Sequence, residues 1–316
     1  MKAIVGYTGF VGSNLTAAGD FDAKYNSSNI EDAYGTSPDL LVYSGLRAEK
    51  YLANHDPGKD LLMIKDAENN ITRIAPRKLV LISTIDVFKQ PSGVDETSEI
   101  DDSGLSAYGY HRYLLECRVR EKFPDALIIR LPGLFGKNIK KNFIYDYLNV
   151  VPFMLNEKKF LELSGKQPEL LKYYDKQESG FYKLNASGPE KERLKDMFRA
   201  LGFSALNFTD SRSRFQFYNL GNMWADLNTA LEAGLTLWHP ATEPVSAGEL
   251  YTYLTGEKFE NILAAAPSDY DYRTIHDTLF GGMNGYICDK ATVLSEIRQF
   301  VETYSKQLPA SGGERT

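Results

Sequence analysis

Short apolar runs recur through the first 135 positions. KAIVG at 2–6, DLLVYSG at 39–45, KLVLIST at 78–84 and ALIIRLPGLFG at 126–136 are rich in Val, Ile and Leu and end on glycine, proline or small polar residues. Continuous apolar runs of this length predict strands buried on both faces, because a half-exposed strand alternates polar and apolar positions. FDAKYNS at 21–27 is a weaker second strand. Helical stretches separate the runs: YTGFVGSNL opens a short helix, AEKYLAN and residues 64–75 follow, and SAYGYHRYLLE at 106–116 leads into another. Strands alternating with helices predict an α/β fold, a Rossmann-type doubly wound parallel sheet covered on both sides.

Beyond residue 135 the rhythm changes. KKNFIYDYLNVVPFML at 140–155 predicts a helix, whereas 157–185 is charged and aromatic without a clear period. Ser187 with Glu190, and Ser246 with Glu249, have the spacing of capping boxes that open helices, with Pro189 in the first turn of one and Val245 and Leu250 as a staple on the other. Trp224, Leu227 and Leu231 mark the buried stripe of a further helix, and Val293, Ile297, Phe300 and Tyr304 that of the last. The expected organisation is a dinucleotide-binding core over 1–135, mixed segments over 136–306 that complete it and form a smaller C-terminal substrate-binding region, and a flexible polar tail at 307–316.

A net charge of -6 argues against a nonspecific nucleic-acid partner. No apolar run is long enough to cross a bilayer, so no membrane partner is expected. Cys117 and Cys288 provide no disulfide framework, and no signal-peptide pattern precedes the first strand; a cytoplasmic location is the expectation. The four histidines are scattered without metal-ligand spacing, and no metal is expected.

Gly6, Gly9 and Gly12 follow the first strand with G-x-x-G-x-x-G spacing. Small residues there let backbone approach a pyrophosphate, and the following helix offers free N–H groups and a favourable dipole. Gly6, Thr8, Gly9, Phe10, Val11 and Gly12 are therefore candidate cofactor-binding residues, with Ser44 and Gly45 at the end of the third strand. Asn26 and Ser27 lie where the adenosine ribose is read. That segment, YNSSN, has neither a carboxylate to repel a 2'-phosphate nor an arginine to bind one. NADP or NAD is the expected cofactor, with NADPH favoured.

Reduction of a carbonyl needs a proton donor and hydrogen bonds to the developing oxyanion. Tyr108 can donate. Arg112, four positions on, shares its helix face and is expected to lower the phenol pKa. Thr84 ends the strongest strand, where open α/β sheets bind ligands. His111 is offset from this face and reads as a packed or solvent-facing residue. Asp86, Asn142, Arg214 and Arg273 are candidates for the substrate half of the cleft, the arginines because a guanidinium fork suits a diphosphate; Arg130, at the end of a core strand, also reads as structural.

GYTGFVG, STIDVF (83–88), YGYHRYLLE (108–116) and RLPGLFG (130–136) together resemble the extended short-chain dehydrogenase/reductase family, the NAD-dependent epimerase/dehydratase group acting mainly on nucleotide sugars. SRFQFYNL (213–220) resembles that family's Arg-Phe segment, and TEPVSAGEL is similar to the corresponding part of its sugar reductases. The resemblance implies phosphate-loop roles for Gly6, Gly9 and Gly12, orientation of the substrate oxygen by Thr84, and general acid/base catalysis by Tyr108. It also implies a homodimer and a nucleotide-sugar substrate. Arg112 occupies the position of the family's lysine, with that residue's charge but without its proton chemistry. Ile85 replaces the acid expected of a sugar dehydratase. The implied activity is an NAD(P)H-dependent reductase or dehydrogenase of a keto sugar. The alternatives are an NAD-dependent nucleotide-sugar epimerase and a non-catalytic dinucleotide-binding regulator.

Overall fold

A computed structural model describes residues 1–307; the tail positions 308–316 lie outside the described residues. The first half alternates β1 (Lys2–Val5), α1 (Phe10–Ala18), β2 (Ala23–Tyr25), β3 (Leu40–Tyr43), α2 (Lys50–His55), α3 (Pro57–Ile74), β4 (Leu79–Thr84), α4 (Ala107–Lys122) and β5 (Leu127–Leu131). The second half contributes β6 (Gly133–Phe135), α5 (Phe143–Leu148), β7 (Met154–Leu155), α6 (Glu157–Lys166), β8 (Tyr174–Lys176), β9 (Tyr182–Leu184) and α7 (Gly188–Ala200). It continues with β10 (Arg214–Phe215), β11 (Phe217–Asn219), α8 (Met223–Glu232), β12 (Leu237–Trp238), β13 (Val245–Ser246), α9 (Ala247–Thr255) and α10 (Lys290–Gln307).

Six parallel strands form the central sheet in the order β12-β5-β4-β3-β1-β2. The order reverses about β1 and β3, which opens a crevice at the carboxyl ends of the strands. Alternation within each strand feeds two separate cores. Ala3, Val5, Leu41, Tyr43, Leu79, Leu81 and Ile128 pack against Ile64, Ala67 and Ile71 of α3 and Leu115 and Val119 of α4. Ile4, Val42, Val80, Ile82, Leu127 and Ile129 face the other way, toward Leu15 of α1 and Met223, Leu227 and Ala230 of α8. Both faces are covered, so the continuous apolar runs are accounted for. Each fully buried Ile or Leu contributes about 1.5–3 kcal/mol.

Two readings of the second half need correction. The helix expected over 140–155 stops at Leu148, because Pro152 disfavours helix at the residue before it and the chain turns out into β7. The stretch over 157–185 is structured: α6, capped by Asn156, and the antiparallel sheet β7-β9-β8 close with α7 over a separate core that includes Leu155, Phe160, Leu163, Tyr174, Leu194 and Phe198. This lobe leaves the body at Val150 and returns at Ala205, whose N–H donates to the Val150 carbonyl at 2.9 Å. Its β8–β9 turn puts Phe181 edge-on against Tyr51 of α2, with ring centroids 4.7 Å apart. β6 pairs with β11, and β10 with β13, beside a third core shared by α5, α9 and α10.

Candidate active site

The glycine turn between β1 and α1 is built for close approach. Gly6 has φ +88°, and a Cβ there would lie 2.5 Å from the Ser44 carbonyl oxygen; at Gly12 it would lie 2.1 Å from the Gly6 carbonyl oxygen. Gly9 caps α1 without any side-chain partner, and the first turn carries no acidic residue. The opening of α1 therefore faces the crevice with N–H groups open to an anion, and the residues fit a dinucleotide pyrophosphate. At the neighbouring strand ends, Asn26 Oδ1 accepts from the Ser28 N–H and hydroxyl, leaving Ser27 exposed beside it. The Ser44 hydroxyl donates back to the Val5 carbonyl at 2.8 Å, whereas Gly45 is exposed.

Across the crevice, β4 ends at Thr84, and its hydroxyl accepts from the Asp86 N–H at 3.2 Å to start a 3₁₀ turn. α4 crosses that turn at Gly109, where a Cβ would sit 2.2 Å from the Asp86 carbonyl oxygen. Any side chain at 109 would push the helix away. Glycine lets it close, which carries Tyr108 to Thr84. The helix start is fixed by Ser106, whose hydroxyl caps Gly109, and by Asn54 of α2, whose side-chain oxygen accepts from the Tyr108 N–H at 3.0 Å.

Tyr108 is buried, and its phenol pKa lies above the ordinary tyrosine value. Burial is the largest cause; Arg112 opposes it, Asp86 and Asp60 raise it further, and the hydrogen-bonding Thr84 hydroxyl lowers it. The lowering expected from Arg112 is present but outweighed. Arg112 lies on the expected helix face, its Cζ 3.9 Å from the Tyr108 ring centroid. It is 3% exposed. Its Nη1 donates to both Asp60 carboxylate oxygens at 2.8 and 2.6 Å and to the Tyr108 carbonyl at 3.2 Å, and its Nη2 donates to the Arg47 carbonyl at 2.9 Å. Asp60 also bonds His111 Nδ1 at 2.7 Å, so His111 is a packed residue of the same cluster. With Asp60 cancelling much of its charge, Arg112 is a brace between α3 and α4.

Asp86 Oδ1 accepts from Lys50 Nζ and the Tyr270 hydroxyl, both at 2.9 Å. Arg214 and Arg273 come together on Asp271, at 3.6 and 2.8 Å, and Arg214 also pairs with Asp269. Asn142 is differently employed: its Oδ1 accepts from the Ile144 and Tyr145 N–H groups to cap α5, and its Nδ2 donates to the Leu134 carbonyl. Every polar atom of that side chain is committed to backbone. Arg130 is wholly buried against Glu116, which also takes the Ser83 hydroxyl, and its Nη1 lies 3.3 Å from His239 Nε2.

In sequence, the chain matches no protein-family model and no curated protein. In structure, it superposes along nearly its whole length on a dTDP-4-dehydrorhamnose reductase from Yersinia enterocolitica (15% identity, TM-score 0.59, covering 96% of this chain and 98% of that one). It is similarly close to a dTDP-4-dehydrorhamnose reductase from Bacillus anthracis in complex with NADP (16%, 0.59, 95% and 98%). A UDP-N-acetylglucosamine 4-epimerase from Methanobrevibacter ruminantium in complex with UDP-N-acetylmuramic acid gives 12% identity, a TM-score of 0.63, and coverage of 97% and 100%.

The chain shares the fold of these proteins, a Rossmann-type doubly wound parallel sheet with a smaller C-terminal region. Within that fold the glycine turn, Ser44, Gly45, Thr84, Asp86 and Tyr108 all belong to loops and ends at the carboxyl edge of one sheet. The sequence reading missed three residues that shape this edge: Asn54, Asp60 and Gly109. Only Gly109 carried a legible signal, a glycine in an otherwise helical pattern. Among the described residues no cluster suited to a metal ion occurs, and no helix is long and apolar enough to cross a membrane.

Proposed function

We propose that the protein is an NAD(P)H-dependent reductase of a keto sugar, nucleotide-linked, with Tyr108 as the general acid. The observation that carries this reading is the buried Tyr108 phenol beside Thr84 at the end of the central strand, facing the crevice opened by the glycine turn. A bound nicotinamide would supply the hydride. Thr84 and Tyr108 would hydrogen-bond the sugar oxygen, and Tyr108 would donate its proton as negative charge develops there. A raised phenol pKa keeps that proton in place at neutral pH, ready for donation. Glycine-turn N–H groups would hold the pyrophosphate, and NADPH is the preferred form because the Asn26–Ser27 segment has no carboxylate to repel a 2'-phosphate. The NADP named with the Bacillus anthracis reductase accords with this choice.

Asp86, held by Lys50 and Tyr270, would contact the substrate or fix the loop, and Arg214 with Arg273 would meet the distal, diphosphate side. With Asp269 and Asp271 already beside them, these arginines would have to exchange ion pairs to bind phosphate. Asn142 is better placed to shape the pocket by capping α5 than to touch a ligand. Incubating the purified protein with NADPH or NADH and a panel of nucleotide keto sugars tests the reading. A reductase consumes reduced cofactor in step with product; an epimerase gives product with no net consumption; a regulator binds cofactor and turns over nothing.

A further inference from the structure

Backbone contacts place Asp86 against the groups proposed to act on the sugar oxygen. Its N–H donates to the Thr84 hydroxyl at 3.2 Å. Its carbonyl oxygen packs under Gly109, the neighbour of Tyr108, so closely that a Cβ there would come within 2.2 Å. Asp86 is therefore held between Thr84 and the helical turn that carries Tyr108.

Two further elements converge on its carboxylate. Lys50 and Asn54 share one face of α2. Asn54 accepts from the Tyr108 N–H at 3.0 Å, while Lys50 Nζ donates to Asp86 Oδ1 at 2.9 Å. From the C-terminal region, Tyr270 is docked on β10: its N–H donates to the Arg214 carbonyl at 3.1 Å, and its ring stacks on Phe215 with centroids 6.2 Å apart. The Tyr270 hydroxyl donates to the same Oδ1 at 2.9 Å. Burial raises that phenol above the ordinary tyrosine value and Asp86 raises it further, so it stays a donor. Oδ1 thus takes two donors from separate elements. Oδ2 accepts no hydrogen bond from the described residues, and the side chain keeps 19% of its surface exposed.

We propose that Lys50, Asp86 and Tyr270 form a specificity clasp whose open oxygen, Asp86 Oδ2, selects a sugar with an uncharged hydroxyl beside the carbonyl, and that Lys50 sets this charge preference. The inference rests on the reductase reading. Other groups at that ring position are penalised in different ways. A carbon bearing only hydrogen would cover Oδ2 without a donor, and a desolvated acceptor left unmet costs more than its hydrogen bond is worth. An anionic group would meet a like charge. An ammonium would be drawn to Asp86 but would stand close to the Lys50 cation already paired with it, which offsets the attraction. Tyr270 is a positioning residue: with Oδ1 fixed by two donors, the direction of Oδ2 is fixed as well.

The test takes one nucleotide keto sugar that the wild-type protein reduces and two analogues in which the hydroxyl flanking the carbonyl is replaced by hydrogen or by an amine. NADPH oxidation is followed at a pH that keeps the amine protonated. The wild type should favour hydroxyl over hydrogen in kcat/KM by on the order of 10-fold or more, and should favour it over the amine as well. Tyr270→Phe should shrink the hydroxyl-to-hydrogen ratio to less than about threefold, whereas a general loss of activity would leave that ratio unchanged. Lys50→Met leaves the Asp86 charge unpaired and should raise the amine-to-hydroxyl ratio by roughly tenfold. A wild type indifferent to hydroxyl or hydrogen, or a ratio unmoved in either variant, would overturn this inference and leave the reductase reading standing. A wild-type protein that binds NADPH but reduces no keto sugar would overturn both.

Discussion

Asp60 offers the sharpest perturbation of the site's support. It is 7% exposed and accepts two bonds from Arg112, at 2.8 and 2.6 Å, and one from His111 at 2.7 Å. Asp60→Ala would strand a guanidinium that is itself 3% exposed, and removing one partner of a buried pair costs about 3–5 kcal/mol. For a chain of this size, with a melting shift of roughly 2 °C for each kcal/mol, Tm should fall by roughly 6–10 °C. Removing both charges is different. The Asp60→Ala/Arg112→Met double variant leaves no unpaired ion, and should recover at least about half of the loss. Urea and thermal unfolding of the two single variants and the double variant form the cycle. If Asp60→Ala costs less than about 1 kcal/mol, or the two losses simply add, the ion pair is not the brace described above and Arg112 becomes available to ligands again.

Other consequences are testable in turn. The raised Tyr108 pKa keeps the phenol protonated through neutrality, so the reductive rate should not fall on account of Tyr108 until the pH passes the ordinary tyrosine value of 10.0; a Tyr108-dependent fall near neutral pH would contradict this. Gly12→Ala would force a Cβ to 2.1 Å from the Gly6 carbonyl oxygen, and should cost about 1–3 kcal/mol of stability and abolish NADPH binding measured by calorimetry. Asn142→Ala should lose about 0.5–2 kcal/mol through its helix cap. Its KM for the sugar should stay within about threefold, since a direct hydrogen bond is worth about 0.5–1.5 kcal/mol; a larger rise in KM without loss of stability would return Asn142 to the substrate site.

The central sheet was legible because four of its strands are continuous apolar runs, which only a doubly covered sheet requires. β12 was not, since two residues, Leu237 and Trp238, carry no period, although Trp238 is wholly buried. Capping chemistry was read correctly at Ser246, where the Glu249 carboxylate accepts from the Ser246 N–H and the Ser246 hydroxyl from that of Glu249. The first part of the lobe, over 157–185, was obscured by its mixture of short strands and one short amphipathic helix. In the site, spacing along one helix joined Tyr108 to Arg112, but nothing local could join Arg112 to Asp60, 52 positions away. That distant carboxylate holds the expected cation in an ion pair between α3 and α4.

The most direct measurement is of NADPH binding and NADPH consumption side by side, for the wild-type protein and Tyr108→Phe, with a nucleotide keto sugar as acceptor. The wild type should bind NADPH and oxidise it in a one-to-one ratio with alcohol formed; Tyr108→Phe should bind equally well and react at least on the order of 10²-fold more slowly. Equal binding with no Tyr108-dependent oxidation across the panel would contradict the account.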